Sequence, residues 1–351
     1  MANSFDPNAA ATPGSGIFGL PYQESEAALV YLPVPWEATT SYGNGTSKGP
    51  QAILKASHQV DLFDLEVERP YQPGLFLLKE SKEVIAWNKE AKKKASQIIK
   101  RGGVTDGHTK LQAALKRVNE LGDKLNQYVS KETQRLLKTG KIVGLIGGDH
   151  STPFGAIRAV AEKHRDLGIL QFDAHMDLRR AYEGFAWSHA SIMFNVLTRI
   201  PQVKKLVQVG IRDFCEEEMD FYRSQGSRMQ VFFDTHLAKR KFKGDGWDKI
   251  ANEIVSALPQ NIWISFDIDG LDPKFCPRTG TPVPGGLEFQ EANYLLSTVA
   301  QSGRKIIGFD LNEVSPHPKK ENEWDANVGA RLLYKLSAWT LVSQGKAEVY
   351  S

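Results

Sequence analysis

From residue 141 onward, short apolar runs alternate with longer segments whose apolar residues recur at helical spacing. The runs at 141–146, 168–172, 205–211, 230–233, 261–266 and 305–311 predict strands, and the segments at 153–164, 190–197, 216–224, 247–257, 288–301 and 326–342 predict helices. An earlier apolar stretch, 28–34, predicts a first strand that Pro33 and Pro35 end, and Pro50 suits the first turn of a helix ending near residue 57. Residues 79–101 and 109–139 predict two long helices around a glycine-containing loop at 101–108. The second of them carries Leu111, Leu115, Val118, Leu121, Leu125, Val129 and Leu136 along one face. Alternation of this kind predicts a parallel sheet with helices on both faces, which binds ligands at the carboxyl ends of its strands.

Composition narrows the class. The chain has 351 residues, 41% hydrophobic and 24% charged, the mix of a globular domain rather than a disordered or membrane chain. A net charge of +3 is too balanced to point to nucleic acid or a membrane surface as partner. Two cysteines, Cys215 and Cys276, give no disulfide framework and fit a reducing compartment. No apolar run approaches the roughly 20 residues that span a bilayer, and the first residues lack the basic and apolar regions of a leader, so a cytoplasmic location is expected. Residues 1–26, rich in Ala, Pro, Ser and Asn, predict an irregular arm. Within it Gly14-Ser15-Gly16-Ile17-Phe18-Gly19 matches a dinucleotide fingerprint, but no strand precedes it and Pro21 follows, so it reads as a turn. The rest, 27–351, shows no repeat or linker and reads as one domain, with 60–140 as a helical elaboration.

Chemistry-bearing residues gather at three strand ends. Asp173-Ala174-His175-Met176-Asp177 follows the strand at 168–172, and side-chain alternation would set Asp173, His175 and Asp177 on one side. Ser265-Phe266-Asp267-Ile268-Asp269-Gly270-Leu271-Asp272-Pro273 follows the strand at 261–266. Asp267 and Asp269 share a side there, and Asp272 reads as turn chemistry. Gly147-Gly148-Asp149-His150-Ser151 follows the strand at 141–146. It presents His150, with Asp149 as the hydrogen-bonding support of that His and Ser151 or Thr152 as a helix cap. Crowded carboxylates repel unless a cation lies between them. Two His and four Asp, one imidazole per ion, suit Mn²⁺ better than structural Zn²⁺, without excluding Ni²⁺ or Co²⁺. Two such ions can lower the pKa of a shared water and hold the resulting hydroxide against an electrophilic carbon, which is metal-assisted hydrolysis. Two further residues fit that chemistry. His189 either passes a proton to a departing amine or caps a helix, and Glu313 either pairs with a planar cation or is a solvated carboxylate.

These motifs resemble the signatures of the ureohydrolase (arginase and agmatinase) family. The resemblance extends through Thr279-Gly280-Thr281-Pro282, Pro284-Gly285-Gly286, Thr46-Ser47-Lys48-Gly49-Pro50 and the last strand with Glu313, and it is weakest over 60–140. It implies a three-layer α/β/α sandwich around a mainly parallel sheet of about eight strands, a Mn²⁺ pair, and hydrolysis of a guanidino compound to urea and an amine. It implies that His150, Asp173, Asp177 and Asp267 hold or bridge one ion, and that His175 with Asp173, Asp177, Asp267 and Asp269 completes the cage. It further implies that His189 shuttles protons, that Glu313 binds the guanidinium, and that the chain assembles as a homotrimer or homohexamer. Leu178-Arg179-Arg180-Ala181-Tyr182-Glu183-Gly184 before Ser188-His189 is closer to the agmatinases, so agmatine is the expected substrate. Phe185 and Trp187 would narrow the pocket. Arg179, Arg180 or Arg278 would favour a substrate with a carboxylate, as in an arginase or guanidinobutyrase, unless structural ion pairs engage them. The remaining readings are a catalytically silent metal-binding protein and a one-zinc amide hydrolase. The first is disfavoured by the complete residue set, the second by the doubled ligand motifs.

Overall fold

In the computed structural model, residues 5–12, 14–103, 107–318 and 323–350 are described; parts of the predicted arm (1–4 and 13) and of the loop at 101–108 (104–106) lie outside them. The strands run in chain order as β1 (Leu29–Val34), β2 (Val67–Glu68), β3 (Leu75–Leu77), β4 (Ile142–Gly147), β5 (Leu167–Phe172), β6 (Val203–Ile211), β7 (Met229–Phe233), β8 (Asn261–Asp267), β9 (Lys305–Asn312) and β10 (Glu348–Val349). Eight of them form a single sheet in the order β3-β1-β4-β9-β8-β5-β6-β7, and every pairing in it is parallel. The helices are α1 (Gly49–Ser57), α2 (Lys82–Ile99), α3 (Thr109–Lys138), α4 (Phe154–Lys163), α5 (Ile192–Arg199), α6 (Glu216–Ser224), α7 (Asp234–Phe242), α8 (Trp247–Ser256), α9 (Phe289–Gln301) and α10 (Trp324–Ser343).

Successive strand residues point to opposite faces, and both faces are covered. Ile146, Leu170 and Ile264 join α1, α8, α9 and α10 in one core. Their neighbours Leu145, Ile169 and Trp263 join α3, α4 and α5 in the other. That is why the strands read as unbroken apolar runs. Stacked rings of Phe172 and Phe266, 4.5 Å apart, lie in the first core.

Four elements were not foreseen. Strand β3 is a three-residue edge, too short to show a period. The antiparallel pair of β2 and β10 is two residues long. Helix α7 buries only Leu237, so it has no apolar stripe. Its start carries Asp234 and its end Lys239, Arg240 and Lys241, the arrangement that the helix dipole favours. The glycine-rich stretch of the arm is a turn, with Ile17 and Phe18 buried in the first core. No helix among the described residues is long and apolar enough to cross a membrane. Phe172→Ala should cost about 3–5 kcal/mol of stability, because ring contacts and a filled volume are both lost. Equilibrium denaturation of wild type and variant checks this.

Candidate metal centre and active site

The site grows from a polar row inside the apolar sheet. Parallel register places Gln208 of β6 beside Gln171 of β5, Gln171 beside Ser265 of β8, and Ser265 beside Asp310 of β9. All four are fully buried, so each needs a partner. Gln208 donates to Gln171 Oε1 at 2.6 Å, and Gln171 donates to Asp173 Oδ2 at 2.7 Å. The Ser265 hydroxyl donates to Asp310 Oδ1 at 2.9 Å. Asp310 also receives the Trp263 indole N–H, and Gly308 leaves room for that ring, since a Cβ there would lie 2.5 Å from it. Sequence reasoning missed this row. Its signal was a polar residue within each apolar run.

At the strand ends above the row, two Asx turns form. Asp173 Oδ1 accepts the His175 amide at 2.7 Å, and Asp267 Oδ1 accepts the Asp269 amide at 2.9 Å. The expected alternation of Asp173, His175 and Asp177 along an extended chain does not occur. Strand β5 stops at Phe172, and Asp177 has a φ of 55°, in the left-handed region. Glu313 has a φ of 62°. Left-handed backbone at a residue with a side chain costs about 1–3 kcal/mol and must be held in place. The Asp177 carbonyl accepts the amides of Met193 and Phe194 at the start of α5, and the Glu313 amide donates to Gly148 O at 2.8 Å.

The turns bring the six expected ligand residues together in two groups. His150 Nδ1 lies 2.9 Å from Asp173 Oδ2, 3.1 Å from Asp177 Oδ2 and 3.4 Å from Asp267 Oδ2. His175 Nδ1 lies 3.2 Å from Asp269 Oδ2 and 3.5 Å from Asp173 Oδ1. Asp173 thus belongs to both groups. Since Ser265 spends its proton on Asp310, its oxygen accepts the His150 Nε2–H at 2.9 Å. That turns Nδ1 toward the carboxylates, where it holds a proton that a metal ion would replace. Nδ1 is buried and makes no well-aligned hydrogen bond.

The expected role of Asp149 is corrected here. Its carboxylate takes the amide and hydroxyl of Ser151 and does not reach the His150 ring, whose support is Ser265 and Asp310. Neither Ser151 nor Thr152 caps α4; Thr152 donates to Asn312 and Asp149 O instead. Asp272 makes the expected turn, accepting the Lys274 amide at 2.9 Å.

Four carboxylates face two imidazoles, and the charges show the mismatch. Burial disfavours charge on His150, yet Asp173, Asp177 and Asp267 raise its pKa well above the ordinary value. Burial also opposes His175, but Asp269 and Asp173 push it up to about 12. Asp173, although buried, is held well below the carboxylate range by both imidazoles. Burial and then Asp173 push Asp177 up to about 7, and burial with Asp269 pushes Asp267 well up. Protons here stand in for missing positive charge. A donor set of carboxylates and aimed imidazole nitrogens fits two divalent cations.

Beside the cluster lies a cavity of ≈ 150 Å³ whose lining includes His175, Asp177, Arg179, Tyr182, His189 and Asp213. His189 sits on a 3-10 turn after Ser188. Burial, then His175 and His150, lower its pKa to about 4, so its imidazole is neutral near pH 7. Glu313 is buried; one oxygen accepts the His150 amide at 3.0 Å, and Oε2 has no hydrogen-bond partner among the described residues. Oε2 faces Gly280, where a Cβ would come within 3.0 Å of it. Arg212 holds the surrounding loops by donating to the carbonyls of Gly210, Asp269, Leu271 and Val283.

The arginase family model matches residues 27–338. The chain belongs to the arginase family. Two relatives support the assignment. One is the N(1)-aminopropylagmatine ureohydrolase of Thermus thermophilus, 31% identical over 90% of each chain. Another is the proclavaminate amidinohydrolase of Streptomyces clavuligerus, 35% identical over 88% of this chain and 87% of that one. The solved structure of the Streptomyces protein shares the fold, with a TM-score of 0.71 over 96% of this chain and 100% of that one at 24% identity.

This arginase-family chain departs from expectation at the pocket. Phe185 and Trp187 do not narrow it; both are buried away from the cleft, Phe185 against Ile98 and Val118, Trp187 against Phe154. Tyr182 lines it instead. Arg179 is engaged by Glu218 at 3.7 Å and by the Tyr182 ring, and Arg180 lies over Phe194. Arg278 is exposed, and its amide donates to Asp325.

Because His150, held well above the ordinary imidazole range, and His175, pushed up to about 12, must give up their protons to bind a metal, uptake should release protons and keep tightening as pH rises through the neutral and alkaline range. Calorimetry in buffers of different ionisation heat measures both. Ser265→Ala should weaken metal affinity roughly ten- to hundredfold while leaving the fold intact.

Proposed function

We propose that this chain is a binuclear manganese enzyme that hydrolyses an amine-tailed guanidine, agmatine or a close relative of it, to urea and an amine. The observation that carries the reading is the pair of ligand groups sharing Asp173, with neutral His189 near His175 and His150, and with buried Glu313, whose Oε2 has no hydrogen-bond partner among the described residues, near Asp267. His150, Asp173, Asp177, Asp267, His175 and Asp269 would hold the two cations. When bound, these supply the positive charge that makes a water nucleophilic at neutral pH.

The side chains supply the rest. Glu313 draws in the guanidinium by a charge-assisted hydrogen bond and orients its carbon. Burial, then Asp267 and Asp149, raise the Glu313 pKa, a cost that a cationic ligand relieves. Asp177 orients the attacking water and takes up its proton. Neutral His189, which lines the same cavity, takes that proton from Asp177 and delivers it to the nitrogen that leaves, so that the C–N bond to the tail breaks, Asp177 is restored and urea remains.

The tail is read as an amine from the charges at the mouth. Arg179 is engaged by Glu218 and Tyr182, whereas the Asp213 side chain is 68% exposed. An acidic mouth favours a cationic tail over an amino acid's carboxylate. The name of the Thermus relative, an aminopropylagmatine ureohydrolase, agrees with an amine-tailed guanidine.

Manganese-loaded protein should release urea from agmatine or aminopropylagmatine faster than from arginine or guanidinobutyrate. No urea from any of the four would refute the reading, and urea from arginine alone would refute the amine tail. Asp267→Ala should remove bound metal and activity together, by elemental analysis and urea assay. Glu313→Gln should lower kcat/KM roughly ten- to hundredfold with metal content unchanged.

A further inference from the structure

The wall of the cleft that carries Tyr182 and His189 is fastened to α3 rather than to the sheet alone. Asn119 accepts the Ala186 amide at 3.0 Å and donates to Gly184 O at 3.4 Å. Asp123, one turn further along, accepts the Trp187 indole N–H at 2.8 Å. Between them Gly122 leaves the space that the Trp187 ring fills, since a Cβ there would lie 2.7 Å from it. Tyr182 and Phe185 exchange backbone hydrogen bonds across a two-residue turn, with Glu183 at φ 52° and Gly184 at φ 89°. Two left-handed central residues make the tight hairpin turn that fixes strand register. Tyr182 then lines the cleft, while Phe185 is buried among Ala95, Ile98, Leu111 and Val118 of α2 and α3.

A second part of the cleft's lining is tied to α2, the other helix of the hairpin. Buried Glu37 accepts the amides of Gly45 at 2.6 Å and Ser47 at 3.2 Å, and it pairs with Lys92 of α2. Its own amide donates to Asn88 of α2 at 2.9 Å. That loop brings Ser41 to the cleft, and Gly43 of the same loop donates to Gly280 O at 3.0 Å.

We infer that the α2–α3 hairpin is a clamp on the cleft, and that Asn119 and Asp123 are positioning residues that set Tyr182 for recognition of the substrate's tail. This rests on the ureohydrolase reading. His189 has separate supports: the Ala190 carbonyl takes the Arg179 amide at 3.0 Å, and Asn195 donates at 3.0 Å to Ser191 O of the same 3-10 turn. Loosening α3's hold therefore displaces the Tyr182 turn more than the proton-transferring imidazole.

The experiment uses manganese-loaded full-length chain and the variants Asn119→Ala, Asp123→Ala and Asp123→Asn. Amide exchange across 182–187 should rise roughly three- to tenfold in the two alanine variants, with the central strands unchanged. The KM for agmatine should rise severalfold more than that for methylguanidine, which has no tail, and the pH profile of kcat should stay in place. Asp123→Asn keeps an acceptor for Trp187 and should behave as wild type. Unchanged exchange at 182–187, or equal losses for methylguanidine and agmatine, overturns the inference. Exchange needs no substrate. A wild-type chain that released no urea would therefore sink the ureohydrolase reading, while the clamp would stand or fall on exchange alone.

Discussion

Four carboxylates buried against two imidazoles are the constraint around which this molecule is arranged. Two like charges 4 Å apart repel by about 4 kcal/mol even at an effective dielectric of 20. Asp173, Asp177, Asp267 and Asp269 are all withdrawn from water and crowded within reach of His150 and His175. Such a cluster is tolerable only if protons or cations intervene, and the raised pKa values of His150, His175, Asp177 and Asp267 show how strongly it calls for them.

A parallel sheet with both faces covered is what can hold such a cluster. The turns carrying its acids are made by neighbouring strands, β5 and β8, whose register aligns Phe172 with Phe266 and so Asp173 with Asp267. The polar row one step below, from Gln208 to Asp310, orients the ligands through hydrogen bonds and aims the His150 ring. Stacked Phe172 and Phe266 fill the opposite face. Rigid packing below and strained backbone at Asp177 and Glu313 above belong to one design, since left-handed backbone persists only where its surroundings over-determine it.

Away from the cluster, the cleft is built by loops that the sheet does not reach. Their supports come from residues 60–140, the stretch in which the sequence shows no catalytic signal. A helical hairpin that buries Phe185 and holds Glu37 can fix two walls without offering any group to the chemistry. The arginase-family match over 27–338 spans both the cluster of acids and imidazoles and these local fastenings of the cleft.

The sequence by itself determined the parallel sheet, most of its strands and helices, and the identity of the acids and imidazoles that meet. Strands buried on both faces must be apolar, and polar residues that end such runs are conspicuous. The acids and imidazoles expected to meet do lie together, but not by alternation along an extended strand. Asp173 and Asp267 each fold back on the amide two residues on, so their groups converge through turns rather than along an extended chain. Tertiary structure alone decided that Ser265 and Asp310, not Asp149, support His150, and that Trp187 and Phe185 serve α3 while Tyr182 lines the cleft. It alone revealed α7, which has one buried residue and no stripe to read. The reason is common to all of these: a hydrogen-bond partner or a packing surface far away in the chain leaves no period in the local pattern, and only the folded chain brings the two together.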